Sequence, residues 1–287
     1  MNSRIITELS EISDAYDALF CDLWGCYHNG IEPYKAAVEA CIAFRRKGGH
    51  VILLTNAPRP SQYVQEFLDK IGAPRESYDA ITSSGGACQA AIEAGEFGQG
   101  IHYIGPARDV QMLTDIGLEP SPVADADAVL ITGFCDDRYQ HPDDYAPEIA
   151  EWKRRGLPLL CANPDIIVDR GDERLWCAGA VAERYKQAGG KVVYFGKPHA
   201  PIYERCFTML KEIAGAPVPH ERILVAGDGI ATDVAGGRVA GLDTLFVTGG
   251  LAATDLGPDP ENPDPAKLAR FLSDHGEAPR YTIGRLR

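Results

Sequence analysis

The chain has no run approaching the roughly 18 consecutive apolar residues that a membrane-spanning helix needs. Met1 to Phe20 carries Glu8, Glu11, Asp14 and Asp17 and contains no apolar core of signal-peptide length. The expected compartment is therefore the cytoplasm. Basic residues are scarce, with 28 Lys and Arg against 41 Asp and Glu and a net charge of −13. That balance argues against nucleic acid or an anionic membrane surface as a partner. An anionic substrate stays open, but it would need a local cation. None of the eight cysteines forms a CxxC, and no Cys/His group has zinc-finger spacing. Cys21, Cys26, Cys41, Cys88, Cys161 and Cys206 sit in or beside apolar segments and read as reduced core residues. Solenoid-length repeats and low-complexity segments are also missing. What remains is an ordinary globular composition, 45% hydrophobic and 24% charged in 287 residues, enough for one large domain or two modest ones.

Short apolar runs alternate with helical spacing. Ala18 to Asp22 reads as a strand, Tyr34, Ala37, Val38, Cys41 and Ile42 as one face of a helix stopped by Gly48-Gly49, and His50 to Leu54 as a second strand. The pattern returns near the C-terminus. Val192 to Phe195 reads as a strand running into Gly196-Lys197-Pro198, Ile202 to Ile213 as a helix, and Ile223 to Ala226 and Thr244 to Val247 as further strands. Ala266 to Leu272 reads as a final helix after a Pro-rich loop. Such alternation predicts an α/β fold, a doubly wound parallel sheet of Rossmann-like type. Between the halves lie candidate strands Ile101 to Ile104, Val129 to Thr132 and Leu159 to Ala162, flanked by Gly85-Gly86 and Gly189-Gly190. The expected organisation is a core of residues 1–79 and 191–287 with an α/β domain of residues 80–190 inserted into it.

Ligands of open parallel sheets bind beyond the carboxyl ends of the strands. Asp22 follows the first strand, Thr55-Asn56 the second, Lys197 the run Val192 to Phe195, and Asp228 the strand ending at Ala226, with Asp233 five residues on. Asp22 and Asp228 could supply oxygens to Mg²⁺, Lys197 could balance charge, and Thr55, backbone N–H groups and Asn56 could hydrogen-bond a transferring phosphoryl group. Taken singly, each also fits a turn, cap or loop role. Taken jointly and in this order, they describe a metal and phosphate site.

The order Asp22-Leu23-Trp24-Gly25, Leu54-Thr55-Asn56, Gly196-Lys197-Pro198 and Gly227-Asp228-x3-Thr232-Asp233 resembles the four motifs of the haloacid dehalogenase (HAD) superfamily. The insertion resembles the C2 cap of its class IIA phosphatases, and Ala162-Asn163-Pro164-Asp165 resembles their cap motif. The resemblance covers about Tyr16 to Gly250. It implies that Asp22 is the nucleophile of an aspartyl-phosphate intermediate, with Thr55 and Lys197 holding the phosphoryl group. It implies Mg²⁺ held by Asp22, the backbone carbonyl of Trp24 and Asp228, with Asp233 supporting through water or from behind. Asn56, Arg59, Asn163 and Asp165 become candidates for binding a small phosphorylated metabolite, and the Cys26 to Gly30 segment becomes a flap beside the site. A homodimer formed through the cap is a further expectation to test.

The family's usual second Asp is missing: that position is Trp24. An indole N–H cannot release a proton at neutral pH, and general acid–base catalysis contributes roughly 10²–10⁴ in rate. Three readings follow. The enzyme could favour good leaving groups, such as aryl or acyl phosphates and phosphoanhydrides. His28 could replace the acid, although a structural flap histidine is the simpler reading. Or the protein could be a degenerate member that binds a phosphorylated metabolite without turnover. Arg59 fits either a substrate anion or a surface helix start. In the insertion, Asp136-Asp137-Arg138-Tyr139 reads as a solvated loop.

Overall fold

A computed structural model describes residues 3–136, 139–170 and 173–287; Asp137 and Arg138 of the Asp136–Tyr139 loop lie outside them. Thirteen strands are numbered along the chain: β1 Arg4–Ile5, β2 Ala18–Asp22, β3 His50–Thr55, β4 Ala80–Ser83, β5 Ile101–Ile104, β6 Ala128–Ile131, β7 Leu159–Cys161, β8 Ile167–Arg170, β9 Glu173–Trp176, β10 Val192–Tyr194, β11 Ile223–Gly227, β12 Asp243–Val247 and β13 Tyr281–Ile283. The chain divides into two compact units. One comprises Met1–Thr55, Gln65–Thr82 and Lys197–Arg287, and the other Asn56–Val64 and Ser83–Gly196. No helix among the described residues is long and apolar enough to cross a membrane.

The first unit holds a seven-stranded sheet in the order β1-β13-β12-β11-β2-β3-β4. The pairs β1–β13, β13–β12, β12–β11, β11–β2 and β2–β3 are parallel. All five residues of β2 are buried, as a central strand covered on both faces requires. Ala18, Phe20, Ile52, Leu54, Ile223 and Val225 point to one face and pack under Ile202, Tyr203, Cys206 and Leu210 of the helix Ala200–Ala214. The helix Lys35–Arg46 buries Ala37, Val38, Cys41 and Phe44, and ends with Arg45 and Arg46 near its negative pole. Gly48, at φ +94°, makes the left-handed turn back into β3.

The second unit has its own four-stranded parallel sheet, β10-β7-β6-β5. Its strands alternate cleanly. Val129, Ile131, Leu159 and Cys161 enter a cluster with Trp152 and Tyr185, while Ala128, Leu130, Leu160 and Ala162 face Cys88, Ile92, Met112 and Leu113. An antiparallel hairpin, β8–β9, accompanies this sheet.

Two expectations change. Val192–Tyr194 is a strand, but it pairs with Leu159–Cys161 of the second sheet instead of joining the core. Lys197 therefore follows a crossover back into the first unit. The unit boundaries shift accordingly: Asn56–Val64 and residues 191–196 group with the inserted part. Gly85-Gly86, expected to flank the insertion, lies two residues inside its edge at Ser83, in the first turn of the helix Ser84–Glu93. A Cβ on Gly85 would lie 2.3 Å from the Pro58 carbonyl carbon, so this glycine serves close backbone packing. The short edge strand β1, its neighbour β13 and the β8–β9 hairpin carry too few alternating residues to stand out in the sequence.

Phe20 lies two residues before Asp22 and is fully buried. Phe20→Ala is expected to cost about 3–5 kcal/mol in a urea titration; a cost under about 1 kcal/mol would mean that β2 is not the central strand of the core.

Candidate active site

The first unit brings four of the motif residues to the carboxyl ends of its central strands. Asp22 closes β2, in register with Leu54, and Thr55 is the next residue of β3. Asp228 follows β11, and Asp233 lies in the single π-helical turn Ile230–Val234 after it. Lys197 enters from the crossover. All five are buried, none more than 6% exposed.

The Lys197 ammonium donates to Asp22 Oδ1 and, at 2.7 Å, to Asp233 Oδ1. Asp233 Oδ2 accepts from the Gly229 N–H at 3.1 Å and the Thr232 hydroxyl at 3.3 Å, so this carboxylate is fixed at both oxygens. Asp228 accepts one backbone bond, from Leu251 N–H at 2.9 Å. Two glycines wall it in. A Cβ at Gly25 (φ +73°) would lie 2.1 Å from Asp228 Oδ2, and one at Gly250 would lie 1.9 Å from it. The turn after β2 and the turn after β12 must both be free of side chains at these glycines for Asp228 to sit where it does.

One ammonium thus faces three carboxylates. Burial pushes the Asp22 carboxyl well above its usual range, and the negative charges of Asp233 and Asp228 add to this against the opposing pull of Lys197. Asp228 is pushed up to about 7, first by burial and then by Asp233. Lys197 remains a cation because Asp22 and Asp233 outweigh the cost of burying it. Excess negative charge of this kind is what a bound cation would neutralise, and its presence would reverse the local pKa logic.

Cys26 joins this group. Its Sγ and the carboxylates of Asp22 and Asp228 present ligand atoms all within 4.8 Å of one another. It is a buried core cysteine, as the sequence suggested; its place beside the two carboxylates was signalled only by its position four residues after Asp22. Seven of the eight cysteines are buried, and Cys135 is exposed.

Trp24 is 43% exposed. Its indole lies over Gly30, where an added Cβ would be 2.3 Å from Cη2, and meets the His28 ring edge-on at 5.1 Å. His28 is itself packed edge-on against Phe67 at 5.4 Å and is 1% exposed. Its Nδ1 accepts from Gly30 N–H at 3.0 Å, and burial lowers its pKa to about 4. The imidazole is neutral at pH 7 and carries its proton on Nε2.

The remaining candidates lie in the second unit. Asn56 Nδ2 donates to Asp165 Oδ1 at 2.8 Å, and Asn163 Oδ1 accepts from the Asp165 N–H at 3.1 Å. Gly196 leaves room for this group: a Cβ there would lie 2.4 Å from Asn56 Oδ1 and 2.7 Å from Pro164 Cδ. Asn56, Asn163 and Asp165 therefore form one polar cluster. Arg59 stands apart, its Nε donating to the buried Asp109 Oδ1 at 2.7 Å.

A doubly wound sheet with buried carboxylates and a lysine at its strand ends defines an α/β protein of Rossmann-like type with a charged centre at its carboxyl edge. Residues 19–119 match the model of the haloacid dehalogenase-like hydrolases, and residues 194–274 match a HAD-hydrolase-like model. A crystal structure of a haloacid dehalogenase-like hydrolase from Brucella suis 1330 is 37% identical, with a TM-score of 0.84, 99% of this chain and 100% of that one being covered. The ribonucleotide monophosphatase NagD of Escherichia coli K12 is 24% identical over 83% of this chain and 89% of its own. The 5'-nucleotidase YutF of Bacillus subtilis 168 is 26% identical over 86% and 93%. The chain belongs to the haloacid dehalogenase-like hydrolases, in their class IIA.

The Asp228 carboxyl titrates near 7 in the folded chain and near 4 when unfolded. Its contribution to stability is thus complete below about pH 4 and is lost as pH rises to about 7. In chelator, the wild type is expected to lose about 3 kcal/mol more than Asp228→Asn between pH 4.5 and 7.5 in urea melts. Parallel pH curves for the two proteins would contradict the assignment.

Proposed function

We propose that this chain is a Mg²⁺-dependent phosphatase acting on a small phosphorylated metabolite through an aspartyl-phosphate formed on Asp22. The observation that carries the reading is the buried set at the end of β2, where Lys197 bridges Asp22 and Asp233 while Asp228 has no ion pair of its own among the described residues. The phosphatase names of the two bacterial relatives support the same reaction class. The donor set suits a hard ion. Asp22 and Asp228 offer carboxylate oxygens, the Trp24 carbonyl is the proposed third protein ligand, and Asp233 supports from behind through Lys197. A bound Mg²⁺ would shield the anionic oxygens of the phosphate.

The chain's own residues account for the bond changes. A carboxylate oxygen of Asp22 attacks phosphorus, the bond to the leaving oxygen breaks, and that oxygen departs with the electron pair. Lys197 keeps a positive charge beside the nucleophile and donates to the phosphoryl oxygens. Thr55 donates a further hydrogen bond as charge builds. Water then attacks phosphorus, the Asp22–phosphorus link breaks at its P–O bond, and inorganic phosphate leaves. Asn56, Asn163 and Asp165 are proposed to contact polar groups of the substrate. The N–H groups that Arg59 does not direct at Asp109 are its remaining means of reaching a substrate anion.

Neither Trp24 nor His28 can protonate the leaving oxygen at neutral pH. The indole has no acidic proton, and His28 is a neutral, packed ring of the flap. The reading therefore favours substrates whose leaving group departs as a stable anion: aryl or acyl phosphates and phosphoanhydrides. With Mg²⁺ and an aryl phosphate, Asp22→Asn is expected to lower phosphate release at least about 10³-fold. Equal rates in the two proteins would sink the catalytic reading. If phosphorylated metabolites raise the melting temperature with no turnover by wild type, the chain is a binding member of the family. Trp24→Asp is expected to raise the alkyl-to-aryl rate ratio about 10–10²-fold, and a fall on both substrates would show that the indole supports the site in another way.

A further inference from the structure

Cys26 is 1% exposed and makes no hydrogen bond among the described residues. Its sulfur abuts two buried carboxylates that face a single lysine. In a site built for oxygen donors alone, a thiol at this point contributes nothing to holding a hard ion, because Mg²⁺ takes carboxylates, carbonyls and water. Toward a softer ion the same position is a ligand. With Zn–S and Zn–O distances of about 2.3 and 2.0–2.2 Å, two donors of a tetrahedral ion stand roughly 3.5 Å apart. The donors here lie within 4.8 Å of one another, so side-chain shifts of at most about 1.3 Å bring all three onto a common ion.

We propose that Cys26 turns this metal site into one that binds thiophilic divalent cations of the zinc, cobalt and cadmium kind, through a thiolate from Cys26 and carboxylates from Asp22 and Asp228. The inference rests on Asp22 and Asp228 forming a metal site, and does not require turnover. Binding exchanges the thiol proton for the metal–sulfur bond and releases that proton to solvent. Its consequence is competition. An ion held partly by sulfur occupies the carboxylates that the proposed Mg²⁺ needs, so zinc would displace magnesium from this centre.

Cobalt(II) reports the ligand set directly, because a cobalt–thiolate bond adds a near-ultraviolet charge-transfer band that oxygen and nitrogen ligands do not. The full chain, purified metal-free, is titrated with Co²⁺, Zn²⁺ and Mg²⁺ by absorbance and by calorimetry. The wild type and Cys135→Ser, which removes the exposed cysteine, are expected to show the band, and Cys26→Ser to lose it. Cys26→Ser is further expected to weaken Zn²⁺ at least about tenfold while changing Mg²⁺ less than about threefold. Near-ultraviolet circular dichroism of metal-free Cys26→Ser checks its fold, and Cys26→Val serves as a second variant with the same expectation. Co²⁺ binding without the band, or equal Zn²⁺ affinity in wild type and both variants, overturns the role of Cys26 while leaving the carboxylate site standing. If neither Mg²⁺ nor Co²⁺ binds the wild type, or if Asp228→Asn binds both as the wild type does, the carboxylate site itself fails, and the inference with it.

Discussion

Lys197 holds the centre together. Burying an ammonium is costly unless partners repay it, and here the repayment comes from Asp22 at the end of β2 and Asp233 in the turn after β11. That ties a residue of the crossover to the two strands at the middle of the sheet. The arrangement also leaves a deficit of positive charge, since Asp228 shares the same buried space and, among the described residues, accepts from backbone N–H groups and not from a cation. The chemistry proposed for this chain follows from that imbalance. A site with its charges already matched would have no reason to attract either a cation or the phosphate that such a cation accompanies.

The geometry that keeps Asp228 in this position is made by absence as much as by contact. Gly25 and Gly250 come from different turns, and each leaves the space the carboxylate occupies. The positive φ of Gly25 bends the chain directly after Asp22, which allows Trp24 to leave the strand direction. Its indole then lies on the flap against Gly30 and His28, and His28 is in turn pinned by Phe67. The flap is thus a packed aromatic unit. Its histidine is held neutral by the packing that orders it, and for that reason it cannot act as a proton donor.

Much of this was legible in the chain. Asp22, Thr55, Lys197 and Asp228 each follow a short apolar run, and apolar runs bounded by glycine and polar residues mark strand ends wherever the sheet is buried on both faces. The cluster of Asn56 with Asp165 could be proposed only from the family resemblance, because 109 positions separate the two residues. Arg59 shows the limit of reading a charge from sequence. A basic residue near a phosphate motif invites a ligand role, but the counterion it meets, Asp109, lies fifty residues away.

The sequence by itself determined the local character of each segment and the order of the chemical groups along the chain. Side-chain periodicity and the apolar content of a run decide whether a segment can be a buried strand. They do not decide which strand it pairs with, since backbone hydrogen bonding is common to all strands. Only the tertiary structure could assign Val192–Tyr194 to the inserted sheet, bring the buried Cys26 beside the carboxylates, and turn the Trp24 indole onto the flap. Each of these outcomes depends on a neighbour distant in sequence or on one glycine conformation, and neither is encoded in the pattern of adjacent residues.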